Sequence, residues 1–347
     1  MTALTTESCL PSYTSVVMGK NIEVASSEIN QATKDLPELF LQRLSTQLSE
    51  DDYLASLQSF ATAKPLTFRT NTLRQQEEEV LHEVQSAGME TKPVPWCPLC
   101  HQLMDGSIRQ LQALQCAQTD GLYIQAASSM LAAHALQVEP DMRVLDLCAA
   151  PGSKTSQIAA QMKNRGMLVA NDRSRKRLYR LREILQRQGA TNVEVLCGPG
   201  ERLGNTHADC FDRVLVDAPC SGEGRFRLDK PIRLSRWNMQ EIRGLAKLQE
   251  QLLIAALRCV RVGGLVVYST CTFAPEENEL VLEKVLRKKT INAEVVELPK
   301  ELRPPSARLP MMHWEGKDVT QDISSAVRII PDDATTGFFI ACLRRVS

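Results

Sequence analysis

The segment Val144-Leu145-Asp146-Leu147-Cys148-Ala149-Ala150-Pro151-Gly152-Ser153-Lys154 constrains this chain more than any other. It reads as a short apolar strand, a turn of small residues, and a helix opening at about Ser153. The same rhythm continues downstream. Apolar strands are expected at residues 167–171, 193–197, 213–217 and 265–269, with the first at 143–148. Helices are expected to open near Lys154, Ser174, Leu245 and Glu276. Short apolar strands joined by helical crossovers make a buried, mostly parallel sheet with helices on both faces. Residues 327–330 and 337–343 read as two last strands around the turn Pro331-Asp332-Asp333. The expected class is therefore α/β, a doubly wound sheet. No internal repeat or low-complexity segment interrupts it.

The turn after the first strand lies where such sheets bind ligands. Ala149, Ala150 and Gly152 permit close backbone approach, and the helix start supplies free N–H groups. Cys148, Pro151, Ser153 and Lys154 complete the candidate cofactor turn. It is not a G-x-G-x-x-G turn, so a dinucleotide is disfavoured. Asp172, at the end of the second strand, is placed to accept hydrogen bonds from ribose hydroxyls. A capping aspartate in a generic α/β turn explains it equally well.

Ahead of this region the chain is organised differently. Residues 1–30 are polar and aperiodic and read as a disordered tail. Leu36, Leu39, Phe40, Leu44, Leu48, Leu54 and Leu57 recur at helical spacing, which predicts two amphipathic helices broken near Ser49. Residues 66–71 read as a strand and 75–87 as a helix ending at Gly88, giving a β-α-β unit. The expected division is a small α+β subdomain over 31–120 and a catalytic domain over 121–347.

Bulk properties exclude several classes. No apolar run approaches the ~20 residues that span a bilayer. The first residues show no basic n-region before an apolar core, so a cytoplasmic protein is the default expectation. The chain has 41 Lys+Arg against 41 Asp+Glu, so a nucleic-acid partner must be argued from local clusters. Its 11 cysteines are expected to be reduced and mostly buried. Cys97 and Cys100, with His101, have the spacing of half a zinc site but no second pair, so no metal is expected.

Several segments together resemble one family. VLDLCAAPGSKTSQIAAQM, VLVDAPCSGEG (214–224), VVYSTCTFAPEENE (266–279) and TGFFIACL (336–343) resemble motifs of the Nop/Sun (RsmB/NOP) RNA cytosine-5 methyltransferases, and of the RsmF-like 16S rRNA enzymes among them. LPELFLQRL, PLTFRTNTL, PWC and YIQAASSML resemble its N-terminal part. The resemblance covers roughly residues 36–345. It implies a Rossmann-like methyltransferase domain behind a small RNA-binding subdomain, with S-adenosylmethionine as cofactor. It implies cofactor contacts at 148–154, Asp172, Arg177 and Asp217. Where the family usually carries an aspartate in its third motif, this chain has Pro199, which cannot accept a side-chain hydrogen bond; Glu201 is a partial substitute.

Carbon 5 of cytosine is a poor nucleophile until a thiolate adds at carbon 6. The resemblance implies Cys271 as that nucleophile and Cys220 as the cysteine that assists product release. Asp217 is a candidate to stabilise the cytosine ring during addition, and Lys154 to bring positive charge near the thiolates. Both cysteines follow predicted strands, where buried filler is the bland alternative. Basic residues would grip RNA phosphates: Arg173, Arg177 and Arg180 on one helix face, and Arg225, Arg227, Lys230, Arg233 and Arg236 beside Cys220. Arg69 and Asn71 are further candidates for RNA. Trp237 reads as an anchor for the helix after it rather than a stacking platform.

Three other readings remain: a catalytically weak ribosome-assembly factor, a tRNA cytosine-5 methyltransferase, and a DNA cytosine-5 methyltransferase with Cys220 as nucleophile. rRNA is favoured over tRNA, without a membrane or metal partner and as a monomer. Longer relatives carry a further C-terminal RNA-binding domain. The chain ends at Ser347, so substrate choice is expected to rest on the N-terminal subdomain and the cleft rim.

Overall fold

The computed structural model describes residues 36–64, 66–228, 236–288 and 292–347. The expected tail at 1–30, and Lys230 and Arg233, lie outside these residues.

The chain opens with α1 (Glu38–Gln47) and α2 (Glu50–Ala61). Ser49 breaks them: its hydroxyl accepts from the Asp52 amide at 3.3 Å, while Glu50, Asp51 and Asp52 fill the first turn of α2. The buried face of the pair is Phe40, Leu44, Leu57 and Phe60. It packs on Phe226 and Phe273, not on the small sheet that follows.

That sheet holds β1 (Thr67–Thr70), β2 (Thr91–Pro93), β3 (Cys100–Leu103) and β4 (Leu122–Ile124), in the order β2-β3-β1-β4. Helix α3 (Glu77–Ser86) runs between β1 and β2, and Gly88 ends it with φ +75°. β3 pairs antiparallel with both β1 and β2, so those two are parallel but not adjacent. The expected β-α-β unit is therefore split by β3. The short strands β2 to β4 escaped sequence reading because three or four residues carry too little periodicity. Short helices α4 (Ile108–Ala113) and α5 (Gln115–Gln118) close the unit.

The main sheet follows α6 (Ala127–Ala135). Its parallel strands are β5 (Arg143–Asp146), β6 (Met167–Asp172), β7 (Val193–Cys197), β8 (Phe211–Asp217) and β9 (Val260–Thr270). Helices α7 (Ser153–Gln161), α8 (Arg175–Gln188), α9 (Met239–Cys259) and α10 (Glu279–Leu286) lie between or after them. The short strands β10 (Ala293–Val296) and β11 (Ala307–Arg308) and the ribbon β12 (His313–Trp314)–β13 (Lys317–Asp318) lead to β14 (Val327–Ile329) and β15 (Phe338–Arg345). The strand order is β11-β14-β15-β9-β8-β5-β6-β7, with β10 also on β15. β15 runs antiparallel to β9. The order reverses between β5 and β8, which opens a crevice at the carboxyl ends of those strands.

The core lies on both faces of this sheet. Val214, Val216, Val266, Tyr268 and Phe339 meet Leu253 and Leu257 of α9, and each is essentially inaccessible. Burial of each such aliphatic side chain stabilises the fold by about 1.5–3 kcal/mol. Helix α9 starts six residues before the expected Leu245, at Met239, capped by Asn238, whose side chain accepts from the Glu241 amide at 2.8 Å. Gly244 hid those turns; its cost of about 1 kcal/mol is smaller than what burying Ile242 and its neighbours contributes. Near Glu276 the chain forms one 3-10 turn, Pro275–Glu277, before α10 begins at Glu279.

Arg69 and Asn71 do not face solvent. Arg69 is 2% exposed and donates to Ser156 at 2.9 Å, and to Gln125 and Gln188 at 3.3 Å. Asn71 donates to the carbonyls of Asp120 and Gln188. They bolt the small sheet to α7 and α8, and their RNA contact is withdrawn on burial. Cys97 and Cys100 are likewise core residues, Cys97 lying 3.9 Å from the Met130 sulfur. Among the described residues no helix is long and apolar enough to cross a membrane, and no cluster of His, Cys, Asp or Glu could hold a metal ion.

Candidate active site

A cleft of about 670 Å³ opens over the carboxyl ends of β5, β6, β8 and β9, within the usual size range of small-molecule sites. Cys148, Ala150, Pro151, Ser153, Lys154, Asp172, Arg177, Asp217, Cys220 and Cys271 all line it. Ala149 and Gly152 stand behind the wall rather than in it. Ala149 packs with Leu178 and Leu181 of α8. Gly152 has φ +113°, and a Cβ there would fall 2.8 Å from Leu181, so only glycine brings the turn so close to α8.

At one end, Asp172 is 3% exposed. It accepts from the Ala150 amide at 3.3 Å and the Ser174 amide at 2.9 Å, and pairs with Arg177 at 3.0 Å. Arg177 also donates to the Ala150 carbonyl and so ties α8 to the turn. Next to Asp172, Asn171 donates to the carbonyls of Leu147 and Gly198 and lines the cleft. Its buried Oδ1 has no partner among the described residues. Sequence reading missed Asn171; the signal was a polar residue in the strand run before Asp172.

At the other end the two cysteines meet. β8 ends at Asp217 and β9 at Thr270, so adjacent parallel strands deliver Cys220 and Cys271 to one place. Their sulfurs are 3.3 Å apart, and the Cys271 amide donates to Cys220 Sγ at 3.3 Å. The Cys220 hydrogen bond lowers the Cys271 thiol to about 7, aided by the charges of Arg225 and Lys154 against the opposing effects of burial and Asp217. Cys220 is driven well above the ordinary thiol range, first by that same bond and then by burial. Lys154 donates to Asp217 Oδ2 at 2.7 Å and to Ser129 at 2.8 Å. Ser269 donates to the other Asp217 oxygen at 3.0 Å.

Two buried acids that sequence reading passed over hold the cysteine loops. Glu223 accepts from Thr272 Oγ1 at 2.9 Å, the Phe273 amide at 3.0 Å and Trp237 Nε1 at 2.8 Å. Trp237, half-buried, also packs edge-on to Phe40, which ties it to α1. Glu277 accepts from the Ser221 amide at 3.0 Å and Gln249 at 2.8 Å, and burial raises it to about 8. Gly224 and Gly337 pass back to back with no room for a Cβ on either. Glu223 stood among small residues, Ser221-Gly222-Glu223-Gly224, while Glu277 stood in an acidic run that reads as exposed.

The sequence profile of the family described as 16S rRNA methyltransferase RsmB/F matches residues 133–344. The chain belongs to this family. The profile of its ferredoxin-like domain matches residues 36–106. Ribosomal RNA small subunit methyltransferase F of Aeromonas salmonicida is 39% identical over 264 residues, covering 73% of this chain and 54% of that protein. The Aeromonas hydrophila protein of the same name is 40% identical over 268 residues, with the same coverage of 73% and 54%. The chain thus spans about half the length of the curated relatives it matches. A methyltransferase homolog from Pyrococcus horikoshii superposes with a TM-score of 0.78 at 31% identity, covering 92% of this chain and 99% of that one. The Pyrococcus horikoshii NSun6 structure with SFG shares the fold at 20% identity and TM-score 0.74, covering 91% of this chain and all of that one.

Against the RsmB/F pattern, Pro199 is not a wall of the cleft; Gly200 and Glu201, which open the next 3-10 turn, are. Glu201, two residues after Pro199, is thus a cleft residue. Of the basic residues, Arg173, Arg177, Arg225 and Arg227 reach the cleft, while Arg180 and Arg236 are exposed away from it.

Proposed function

We propose that this chain methylates carbon 5 of a cytosine in RNA, rRNA by preference, using S-adenosylmethionine. The observation that carries the reading is the pairing of Cys220 and Cys271 at 3.3 Å, beside Asp217 and Lys154, in a cleft that also contains the small-residue turn.

The cofactor fits the residues present. The unpartnered Asn171 Oδ1 awaits a donor such as a ribose hydroxyl or an amino group. Cys148, Ala150, Pro151, Ser153 and Lys154 of the turn, Asp172 with Arg177, and Glu201 would hold it. When bound, it supplies an electrophilic methyl group. The chain's own residues do the rest. The Cys271 thiolate forms a bond to carbon 6 of the cytosine, which makes carbon 5 nucleophilic. Asp217, fixed by Lys154 and Ser269, faces the ring as carbon 5 takes its methyl group. A base that Cys220 orients removes the carbon-5 proton, since the Cys220 thiol keeps its own. The carbon 6–sulfur bond then breaks and returns the thiolate. Cys271 is the better nucleophile of the pair because its thiol is the one held low.

The test uses two variants with RNA and S-adenosylmethionine. Cys271→Ala should abolish methyl transfer and form no adduct. Cys220→Ala should accumulate a protein–RNA adduct that survives a denaturing gel. The reverse pattern would exchange the two roles. Absence of cofactor binding at millimolar concentration would instead favour an assembly factor.

A further inference from the structure

We infer that Lys64, with Arg225 and Arg227, forms the seat for the RNA phosphate next to the target cytidine. This deepens the RNA reading above and rests on it.

Lys64 leaves the end of α2, far in sequence from the catalytic motifs, yet it lines the cysteine cleft together with Arg225 and Arg227. It also lines a second cavity of about 290 Å³, between α2, the small sheet and the loop before β15. One cation thus stands where the two cavities meet. Arg225 is already within electrostatic reach of the Cys271 thiol. A base seated at that thiol leaves its flanking phosphates towards the rim, where these cations stand.

The placement is built, not incidental. Lys64 Nζ donates to the Ser59 carbonyl at 2.8 Å and stands 5.5 Å from the centre of the Phe60 ring. The Leu228 amide donates to the Phe60 carbonyl at 3.0 Å. Phe226, between the two arginines, is 1% exposed and packs edge-on to Phe60 at 6.1 Å. Lys64 and the arginine loop are therefore fastened to each other. Their charges repel: burial and Arg227 together lower Lys64 to about 8. Lys64 makes no ion pair among the described residues. A negative charge brought beside Lys64 favours its charged form against burial and Arg227. A phosphodiester supplies that charge, and a lysine meets it as a compact point charge.

The experiment titrates the full chain with a labelled, cytidine-rich single-stranded RNA oligonucleotide at a series of KCl concentrations. Lys64→Gln should weaken binding about fivefold at low salt and reduce the slope of log K against log[KCl] by about 0.7, the loss of one single-strand phosphate contact. Lys64→Arg should keep both. Calorimetry with S-adenosylmethionine should give the same affinity in all three proteins, which shows that the cleft is folded. A Lys64→Gln protein with unchanged affinity and slope overturns the inference, as does a wild-type chain that does not bind the oligonucleotide. A wild-type chain that binds with the Lys64-dependent slope but methylates no RNA sinks the methyltransferase reading and leaves the phosphate seat standing.

Discussion

Cys220 Sγ lies 3.3 Å from Cys271 Sγ, close enough for one thiol to stabilise the other's thiolate. Alkylation of Cys271 by iodoacetamide should therefore rise with pH through a midpoint near 7, not near the ordinary 9. The sign follows from the thiolate being the reactive form. Cys220→Ala removes the bond that lowers Cys271, so its midpoint should move up and the rate at neutral pH should fall several-fold. Peptide mapping by mass spectrometry separates Cys271 from the exposed Cys197.

Lys154 is 8% exposed, and its partner Asp217 is about one-third open to solvent. Lys154→Met leaves that carboxylate unpaired at the cleft wall. Because Asp217 keeps Ser269 and some water, the cost should be about 1–3 kcal/mol, below that of a fully buried pair. Urea denaturation reads the stability. Methyl transfer should fall by at least about tenfold, because Asp217 loses the group that orients it.

Glu277 offers a pH test in the opposite sense to most carboxylates. Burial raises it from 4.5 to about 8 in the folded chain, so the folded state holds its proton more tightly. Its contribution to stability is complete below the unfolded value and is lost as pH rises towards about 8. Glu277→Gln keeps the acceptor for the Ser221 amide and Gln249 without the charge. The variant should match wild type near pH 4.5 and exceed it by about 1–3 kcal/mol near pH 8, measured by urea unfolding at both values. Equal pH slopes in the two proteins would refute the assignment.

Arg328 and Glu279 form a doubly hydrogen-bonded pair at 2.6 and 2.8 Å, 5% and 1% exposed, and Arg328 also donates to the Phe273 carbonyl behind Cys271. Arg328→Met strands the carboxylate and should cost about 3–5 kcal/mol. The double change Arg328→Met with Glu279→Leu should recover much of that loss, since a stranded charge rather than a missing attraction dominates. An additive double variant would contradict this.

What was legible in the sequence was what repeats or what is locally unusual. The strands ending at Asp172 and Asp217 could be read because apolar runs and small-residue turns are local signals. So could the cleft, since strand ends define it. The buried acids Glu223 and Glu277, and the orphaned Asn171 oxygen, could not be read, because their partners come from distant segments. Arg69 misled for the same reason: an arginine in a strand looks exposed until α7 and α8 close over it. Lys64 carries no motif at all, and only the folded chain brings it beside the cysteine loops.

Phe40, Phe60, Phe226 and Phe273 make one aromatic cluster, with ring centres 5.1 to 6.3 Å apart. Two of these rings come from α1 and α2, one follows Cys220 and one follows Cys271. By folding, then, α1 and α2 belong with the catalytic half, although in chain order they precede the ferredoxin-like sheet. A chimera that exchanges the N-terminal region with a relative should cut after Lys64, not at the start of the chain's main sheet. Cutting later would give the recipient two cysteine loops without the hydrophobic floor on which they rest.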